Sequence, residues 1–138
     1  MRRGLEIAIL GLCGAALLAT GITELATPQT LFTPLDLRIE GASALNEIRA
    51  AYGGMHVGIG VLLLVGAGRT AFRRAALWVG LAFLGGLAAG RLVSLMVDGA
   101  PGGFVYRLWI PEAVGAMLIG VLLLTPTDSR RSRNHGHP

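Results

Sequence analysis

Residues 76–97 read ALWVGLAFLGGLAAGRLVSLMV, an apolar run in which Arg91 is the only charged residue. About 20 residues of α-helix, at about 1.5 Å per residue, cross the roughly 30 Å hydrocarbon core of a bilayer. A soluble helix of that length would carry a polar face, and this run has none. The stretch therefore predicts a transmembrane helix.

Three further runs of the same kind accompany it, at residues 5–25, 45–67 and 106–124. Hydrophobic residues make up 53% of the chain and charged residues 14%, and the mean hydropathy is +0.63. Soluble domains carry about 25% charged residues. The sequence thus predicts an all-α integral membrane four-helix bundle, residues 1–125. The polar tail, residues 126–138, is expected to be cytoplasmic and disordered.

The arginines indicate the orientation, because the cytoplasmic flanks of membrane helices are enriched in Arg and Lys. If the four spans alternate, most of the arginines fall on one side of the membrane. They are Arg2, Arg3, Arg69, Arg73, Arg74, Arg130, Arg131 and Arg133. We therefore expect both termini in the cytoplasm and the loop of residues 26–44 outside.

Two alternatives bear on this topology and charge. A cleavable signal peptide would explain the first run, since Met1-Arg2-Arg3 resembles a charged n-region, but the run is long and lacks a clear A-x-A cleavage site. The net charge of +4 does not indicate nucleic-acid binding, because the arginines cluster at the ends of apolar segments without interleaved aromatic residues.

Ionisable residues inside the spans are the main functional signal. Charges at membrane depth are costly, so they usually face the bundle interior and pair. On the predicted topology, several polar residues gather in the outer half of the bundle or at its rim. This predicted cluster consists of Glu24, Asn46, Glu47, Arg49, Tyr52, His56, Arg91, Asp98 and Glu112.

Helical periodicity refines the expectation for the second span. At about 100° per residue, Asn46, Arg49, Tyr52 and His56 share one face. Glu47 points to nearly the opposite side, so it is not expected to pair with Arg49.

Between spans, we expect Arg91 to pair with Glu112 or Glu47, and Arg49 to pair with Glu24 or Glu112. Two interpretations follow. The charges staple the helices together, since unpaired charges in hydrocarbon strongly destabilise a fold. Alternatively they line a pocket, open to the outer leaflet, that binds a lipid or an amphipathic or anionic small molecule.

Tyr52 and His56 slightly favour the pocket, because ion pairs that only hold the helices together would need neither side chain. A lone histidine on such a face is still more often a helix–helix hydrogen-bonding group than a ligand.

Glycines predict close contacts between helices, because small residues let membrane helices approach each other. Contacts within the chain and a homo-oligomer would both use them, and we favour contacts within the chain. The glycines are Gly11, Gly14 and Gly21 in the first span, Gly54 and Gly58 in the second, and Gly86 and Gly90 in the third.

Other chemistry finds little support. Cys13 is the single cysteine, so no disulfide forms within the chain, and we expect it to lie far from His56. His135 and His137 are expected to be solvated rather than to bind a metal. No phosphate-binding glycine loop is present. We therefore expect no cofactor and no metal.

The run from Asn46 to Gly58, NEIRAAYGGMHVG, resembles the domain-of-unknown-function family 4345, together with Gly90-Arg91-Leu92, Asp98-Gly99-Ala100-Pro101 and Glu112-Ala113-Val114-Gly115. The resemblance covers roughly residues 5–125. It implies a small four-span protein of the bacterial cytoplasmic (inner) membrane, but no activity. Its signature polar positions would be Glu47, Arg49, Tyr52, Arg91, Asp98 and Glu112. The architecture is also similar to DoxX-like membrane proteins, which suggests a small-molecule or redox-linked accessory role.

We expect a non-enzymatic membrane protein whose polar cluster binds a lipid or other amphipathic small molecule. One alternative is a membrane enzyme, such as an isomerase, that uses Glu112 or Glu47 with His56 for proton transfer. Another is a small transporter, which the outward bias of the charges disfavours.

Overall fold

The computed structural model describes residues 1–125, which form helices and no strand. Four helices are long and apolar enough to cross a membrane, and we call them the first to fourth spans. They are Arg2–Ala26, Ala42–Gly68, Thr70–Val97 and Gly103–Leu124. The all-α prediction with four membrane-capable helices is confirmed. The predicted tail, with His135 and His137, lies outside the described residues.

The loop between the first two spans contains helical structure. A short α-helix, Gln29–Phe32, is followed by a 3-10 turn, Thr33–Leu35. The turn ends at Asp36, whose φ of 58° is left-handed. This short segment packs against the first span, and its 3-10 turn contacts the fourth.

The spans pack in chain order. The first contacts the second most extensively, the second contacts the third, and the third contacts the fourth, whereas the first and fourth barely touch. Arg2 Nη2 donates to the Leu122 carbonyl at 2.7 Å, so the first span begins beside the end of the fourth. We call this end of the bundle the terminal end and the opposite one the loop end.

The apolar core fills the half of the bundle nearer the terminal end. Leu10, Leu63 and Ile119 are fully buried there, with Ala76 and Leu77 beside them. Each lies within about ten residues of a helix end at the terminal side. The loop half of the bundle therefore has less of this dense apolar packing, and it is where Tyr52, Arg91 and Glu112 of the predicted polar cluster lie.

Glycines bring the first two spans into backbone contact. A Cβ atom on Gly21 would lie 2.7 Å from the Val57 amide nitrogen, and one on Gly60 would lie 2.7 Å from that of Leu18. Real Cβ atoms do not approach backbone atoms so closely. Only glycine therefore fits at these positions without moving a helix.

The predicted contacts within the chain are therefore confirmed for Gly14 and Gly21. The prediction is wrong for Gly11 and for the two glycine pairs spaced G-x-x-x-G, which are Gly54 with Gly58 and Gly86 with Gly90. A Cβ atom on Gly58, Gly86 or Gly90 would meet nothing within 4 Å, and one on Gly54 would meet only the Arg49 carbonyl of its own helix. The motif indicates a smooth helix face, but its spacing does not say which neighbour covers that face.

Arg73 has a structural role that its predicted place at a cytoplasmic flank did not suggest. Its side chain is buried, and it donates to the carbonyls of Gly66 at 3.3 Å and Ala67 at 3.0 Å. The last carbonyls of a helix lack partners within the helix. Arg73 therefore caps the end of the second span from the start of the third.

Candidate functional site

A cavity of about 450 Å³ lies between the four spans. Its volume falls in the range of about 300–1,000 Å³ that small-molecule sites occupy. All four spans and the short loop helix contribute to its lining. The apolar wall includes Ile9, Leu12 and Leu17 of the first span, Leu84 and Leu87 of the third, and Val114 and Leu118 of the fourth.

The polar side chains of the cavity are concentrated toward the loop end. Tyr52 and His56 of the second span lie there with Arg91 of the third and Arg107 and Glu112 of the fourth. The cavity therefore combines a long apolar wall with one polar end.

Arg91 and Glu112 form a two-point ion pair at this polar end. Arg91 Nε donates to Glu112 Oε2 at 2.7 Å, and Nη2 donates to Oε1 at 2.9 Å. The side chains are 26% and 14% exposed. Such paired, charge-assisted bonds are stronger than neutral ones. Of the two partners expected for Arg91, Glu112 and Glu47, the structure therefore shows Glu112.

His56 is oriented by its own helix. Its Nδ1 atom contacts the Tyr52 carbonyl, which accepts hydrogen bonds and cannot donate, so Nδ1 carries the hydrogen. The neutral ring then presents Nε2 as an acceptor. The Tyr52 and His56 rings lie nearly parallel, with centroids 6.3 Å apart, and Phe83 meets His56 edge-on at 5.3 Å.

A π-helical segment, Arg49–Gly54, sets the direction of Tyr52. Its i→i+5 hydrogen bonds place an extra residue in the turn, and such segments are frequent at functional sites. The extra residue changes the direction in which side chains before the segment point, relative to the side chains after it. Of the four residues predicted to share a face, only Tyr52 and His56 therefore line the cavity.

Arg49 does not pair with Glu24 or Glu112, so that expectation is wrong. Its Nε atom donates to the Leu25 carbonyl at 3.0 Å. The reason is again helix-end chemistry, because the last carbonyls of the first span need donors. Arg49 is therefore level with the end of the first span.

Asn46 and Glu47 lie beyond that level and are exposed. They precede Arg49 in a second span that extends past the end of the first, so no neighbouring span covers them. The expectation that they join the cluster is not met by this geometry, and Glu47 does not pair with Arg91, whose partner is Glu112.

Asp98 is also outside the cavity. It lies at the end of the third span, about 10 Å beyond Arg91 at 1.5 Å per residue. Its carboxylate accepts a hydrogen bond from Ser94 Oγ at 2.8 Å, and both side chains are exposed. A shared helix face therefore does not give a shared depth.

Glu24 is buried but separate from the cavity lining. It is 1% exposed, and its Oε2 atom has no hydrogen-bond partner among residues 1–125. Thr20, one turn away on the same span, does line the cavity. Glu24 thus lies next to the site without forming part of its wall.

Two parts of the site were not among the predicted site residues. The first span supplies much of the wall, including Cys13, which lines the same cavity as His56 although we expected the two to be far apart. The short loop helix also contributes, because Leu31 lines the cavity and Phe32 meets the Tyr52 ring edge-on at 5.0 Å. The apolar residues of an otherwise polar loop were the available signal for that helix.

Metal chemistry has no candidate site within residues 1–125, where no three His, Cys, Asp or Glu side chains gather closely enough to hold an ion.

Comparison with known proteins identifies a family without assigning an activity. A family model described as Domain of unknown function (DUF4345) matches residues 6–123. That range includes the cavity and most of all four spans. No curated protein and no solved structure matches the chain. The chain belongs to the DUF4345 family.

Proposed function

We propose that this chain is a non-enzymatic, multi-pass protein of the bacterial cytoplasmic membrane that binds a lipid or other amphipathic small molecule. One observation carries the proposal: the cavity has an apolar wall and a single polar end. An amphipathic molecule has the same division, with an apolar body and a polar head. Binding sites of this kind are mostly apolar with a few placed polar groups.

The opening of the cavity supports entry from the membrane. Leu12 of the first span and Leu118 of the fourth line the cavity and are 74% and 44% exposed. They lie on the first and fourth spans, which contact each other much less than any two spans that are consecutive in the chain. In a bilayer this seam faces acyl chains, so a lipid-soluble molecule reaches the cavity without crossing water.

The proposed orientation places the terminal end in the cytoplasm. Arg2, Arg3, Arg69, Arg73 and Arg74 all belong to the terminal end, where arginines favour the cytoplasmic side. The polar end of the cavity then lies in the outer half of the membrane.

A purely structural role for the polar residues explains fewer features of the cavity than ligand binding does. The ion pair between Arg91 and Glu112 would hold the third and fourth spans together by itself. It gives no reason for Tyr52 and His56 to face the same space, nor for the apolar cavity beside them.

The direct test is to identify what co-purifies with the protein. Native mass spectrometry after extraction in a mild detergent should show a bound molecule on the wild-type protein. Ala16→Trp should lose it, because Ala16 lines the cavity on the exposed side of the first span. Ala15→Trp is the matched control, since Ala15 is also exposed but does not line the cavity.

Equal retention by both tryptophan variants would place the bound molecule elsewhere and refute the proposal. So would a wild-type protein that carries no molecule and takes up none from added membrane lipid extract.

A second candidate is a membrane enzyme that moves a proton within a lipid-soluble substrate. It is favoured by one observation, that His56 and Glu112 line the same cavity. Proton transfer needs such a pair within reach of one substrate. Under this hypothesis Glu112→Gln would accumulate one isomer of the bound molecule, whereas wild-type protein would carry an equilibrium mixture. Identical bound molecules in both proteins would exclude it.

A further inference from the structure

The charge balance at the polar end of the cavity restricts the ligand. Arg91 donates to both oxygens of Glu112, so the positive and negative charges of this pair already neutralise each other. An anionic head placed beside them would face Glu112 as well as Arg91. The remaining cation in the lining, Arg107, is exposed rather than enclosed. The enclosed part of the polar end therefore suits a neutral head.

His56 restricts the ligand further. Its Nδ1 hydrogen is directed to the Tyr52 carbonyl, which leaves Nε2 as an acceptor. Within residues 1–125 no protein donor reaches Nε2, and His56 is a buried residue of the cavity lining. Nε2 is not fully enclosed by protein atoms, so it is open to the cavity, and a ligand that displaces water from it must supply a hydrogen if the acceptor is not to be left unpaired. Ethers, esters and carboxylates have none to give.

The same end of the cavity also offers donors. The Tyr52 side chain is 42% exposed, and its hydroxyl has no partner within residues 1–125. The pair with Glu112 uses only two of the five guanidinium hydrogens of Arg91, which is half-buried. A ligand group that meets all three side chains must both donate and accept. An ammonium group donates only, and it would add a second positive charge beside Arg91. A hydroxyl group does both and is neutral.

We infer that the cavity recognises a neutral amphiphile with a hydroxyl head, such as a long-chain alcohol, through donation to His56 Nε2 and acceptance from Tyr52 or Arg91. This inference rests on the proposed binding function and names its ligand class. The apolar body of the molecule would lie along Leu17, Leu84 and Leu118, with its far end at the seam between the first and fourth spans.

Three probes of closely matched chain length test the inference on full-length protein in nanodiscs: hexadecanol, hexadecyl methyl ether and hexadecanoic acid. The ether keeps the oxygen acceptor but has no hydrogen to donate. Affinity is measured by equilibrium competition against a radiolabelled long-chain alcohol. Hexadecanol should bind about tenfold more tightly than the ether, the value of one hydrogen bond of ordinary strength.

His56→Phe should remove the preference for hexadecanol over the ether, because phenylalanine fills the space without an acceptor. His56→Gln retains an acceptor and should keep part of the preference. Met55→Phe is the control, since Met55 is exposed and absent from the cavity lining. The comparison of the three probes on wild-type protein stands even where His56→Phe fails to fold.

The outcomes separate the inference from the binding function on which it rests. Tightest binding of hexadecanoic acid would show that the ligand is anionic. Equal binding of the alcohol and the ether would show that a hydrogen bond from the ligand to His56 does not contribute to affinity. Either result overturns the hydroxyl inference and leaves the cavity as a binding site. Absence of binding by all three probes, together with wild-type protein that retains no molecule, would refute both.

Discussion

Arg91 and Glu112 meet across the interface of the third and fourth spans, with both carboxylate oxygens accepting hydrogen bonds from one guanidinium group. Two parallel bonds fix the relative orientation of the two side chains as well as their distance. Nearby, Trp109 Nε1 donates to the Ala88 carbonyl at 3.1 Å, so the same two spans are joined twice near the loop end. The polar end of the cavity thus lies where two side-chain contacts join the third and fourth spans.

Breaking this ion pair on one side should destabilise the fold. Arg91→Met or Glu112→Met alone should lower the free energy of unfolding by about 3–5 kcal/mol, because each leaves an unpaired charge in the bundle. The double variant should recover most of that loss, since no charge remains. Reversible unfolding in mixed detergent micelles measures the three values. Asp98→Asn, at an exposed position, is the control and should change stability by less than about 0.5 kcal/mol. Additive losses in the double variant would contradict the pairing.

Adding one methyl group at Gly21 should separate the first two spans. Gly21→Ala places a Cβ atom 2.7 Å from the Val57 amide nitrogen, where only movement of a helix relieves the clash. We expect a loss of about 1–3 kcal/mol in the free energy of unfolding, typical of overpacking. Gly58→Ala, in the second span with nothing within 4 Å of its Cβ position, is the matched control. Equal stability of the two variants would show that the spans do not approach so closely.

Arg73 and Arg74 should differ although both contribute the same charge to the same membrane flank. Arg73→Ala removes the bonds to the Gly66 and Ala67 carbonyls and should cost about 1.5–3 kcal/mol. Arg74 is exposed, so Arg74→Ala should cost little. Thermal unfolding measures both, and cysteine labelling confirms that each variant keeps its orientation. A similar loss in both variants would mean that the charge alone matters.

Replacing Glu24 by leucine should stabilise the protein. The buried Oε2 atom has no partner among residues 1–125, and an unpartnered buried polar atom costs about 1–3 kcal/mol. Glu24→Leu should raise the free energy of unfolding by a similar amount. Glu47→Leu, at an exposed position, controls for the added hydrophobicity. A loss of stability in Glu24→Leu would show that the carboxyl group binds something outside the chain, such as water, an ion or a lipid.

The sequence was sufficient to predict the four long helices and the ion pair between Arg91 and Glu112. Four apolar runs of spanning length leave little choice of secondary structure in a membrane. Arg91 and Glu112 were predictable partners because intramembrane charges must pair and both lie about two helical turns from the same end of the bundle. Depth and charge together therefore specified this contact.

The partner of Arg49 was not predictable in the same way. The sequence shows carboxylates, but it does not show the free carbonyls that appear only where the first span ends, and Leu25 supplies one of these. Nor does it show the π-helical segment, which displaces Asn46 and Arg49 from the face of Tyr52 and His56. Periodicity assumes a regular helix, and one additional residue in a turn is enough to defeat it.

The sparse contact between the first and fourth spans has a consequence for how this protein depends on its surroundings. Three of the four interfaces between neighbouring spans are extensive, and the fourth, between the first and fourth spans, is sparse. In a membrane, hydrocarbon is the solvent at that sparse interface. Lipid tails or a detergent must complete this interface, so bilayer composition becomes one of the determinants of the native state. Extraction conditions that remove the surrounding lipid should therefore separate the first and fourth spans before any single helix unfolds.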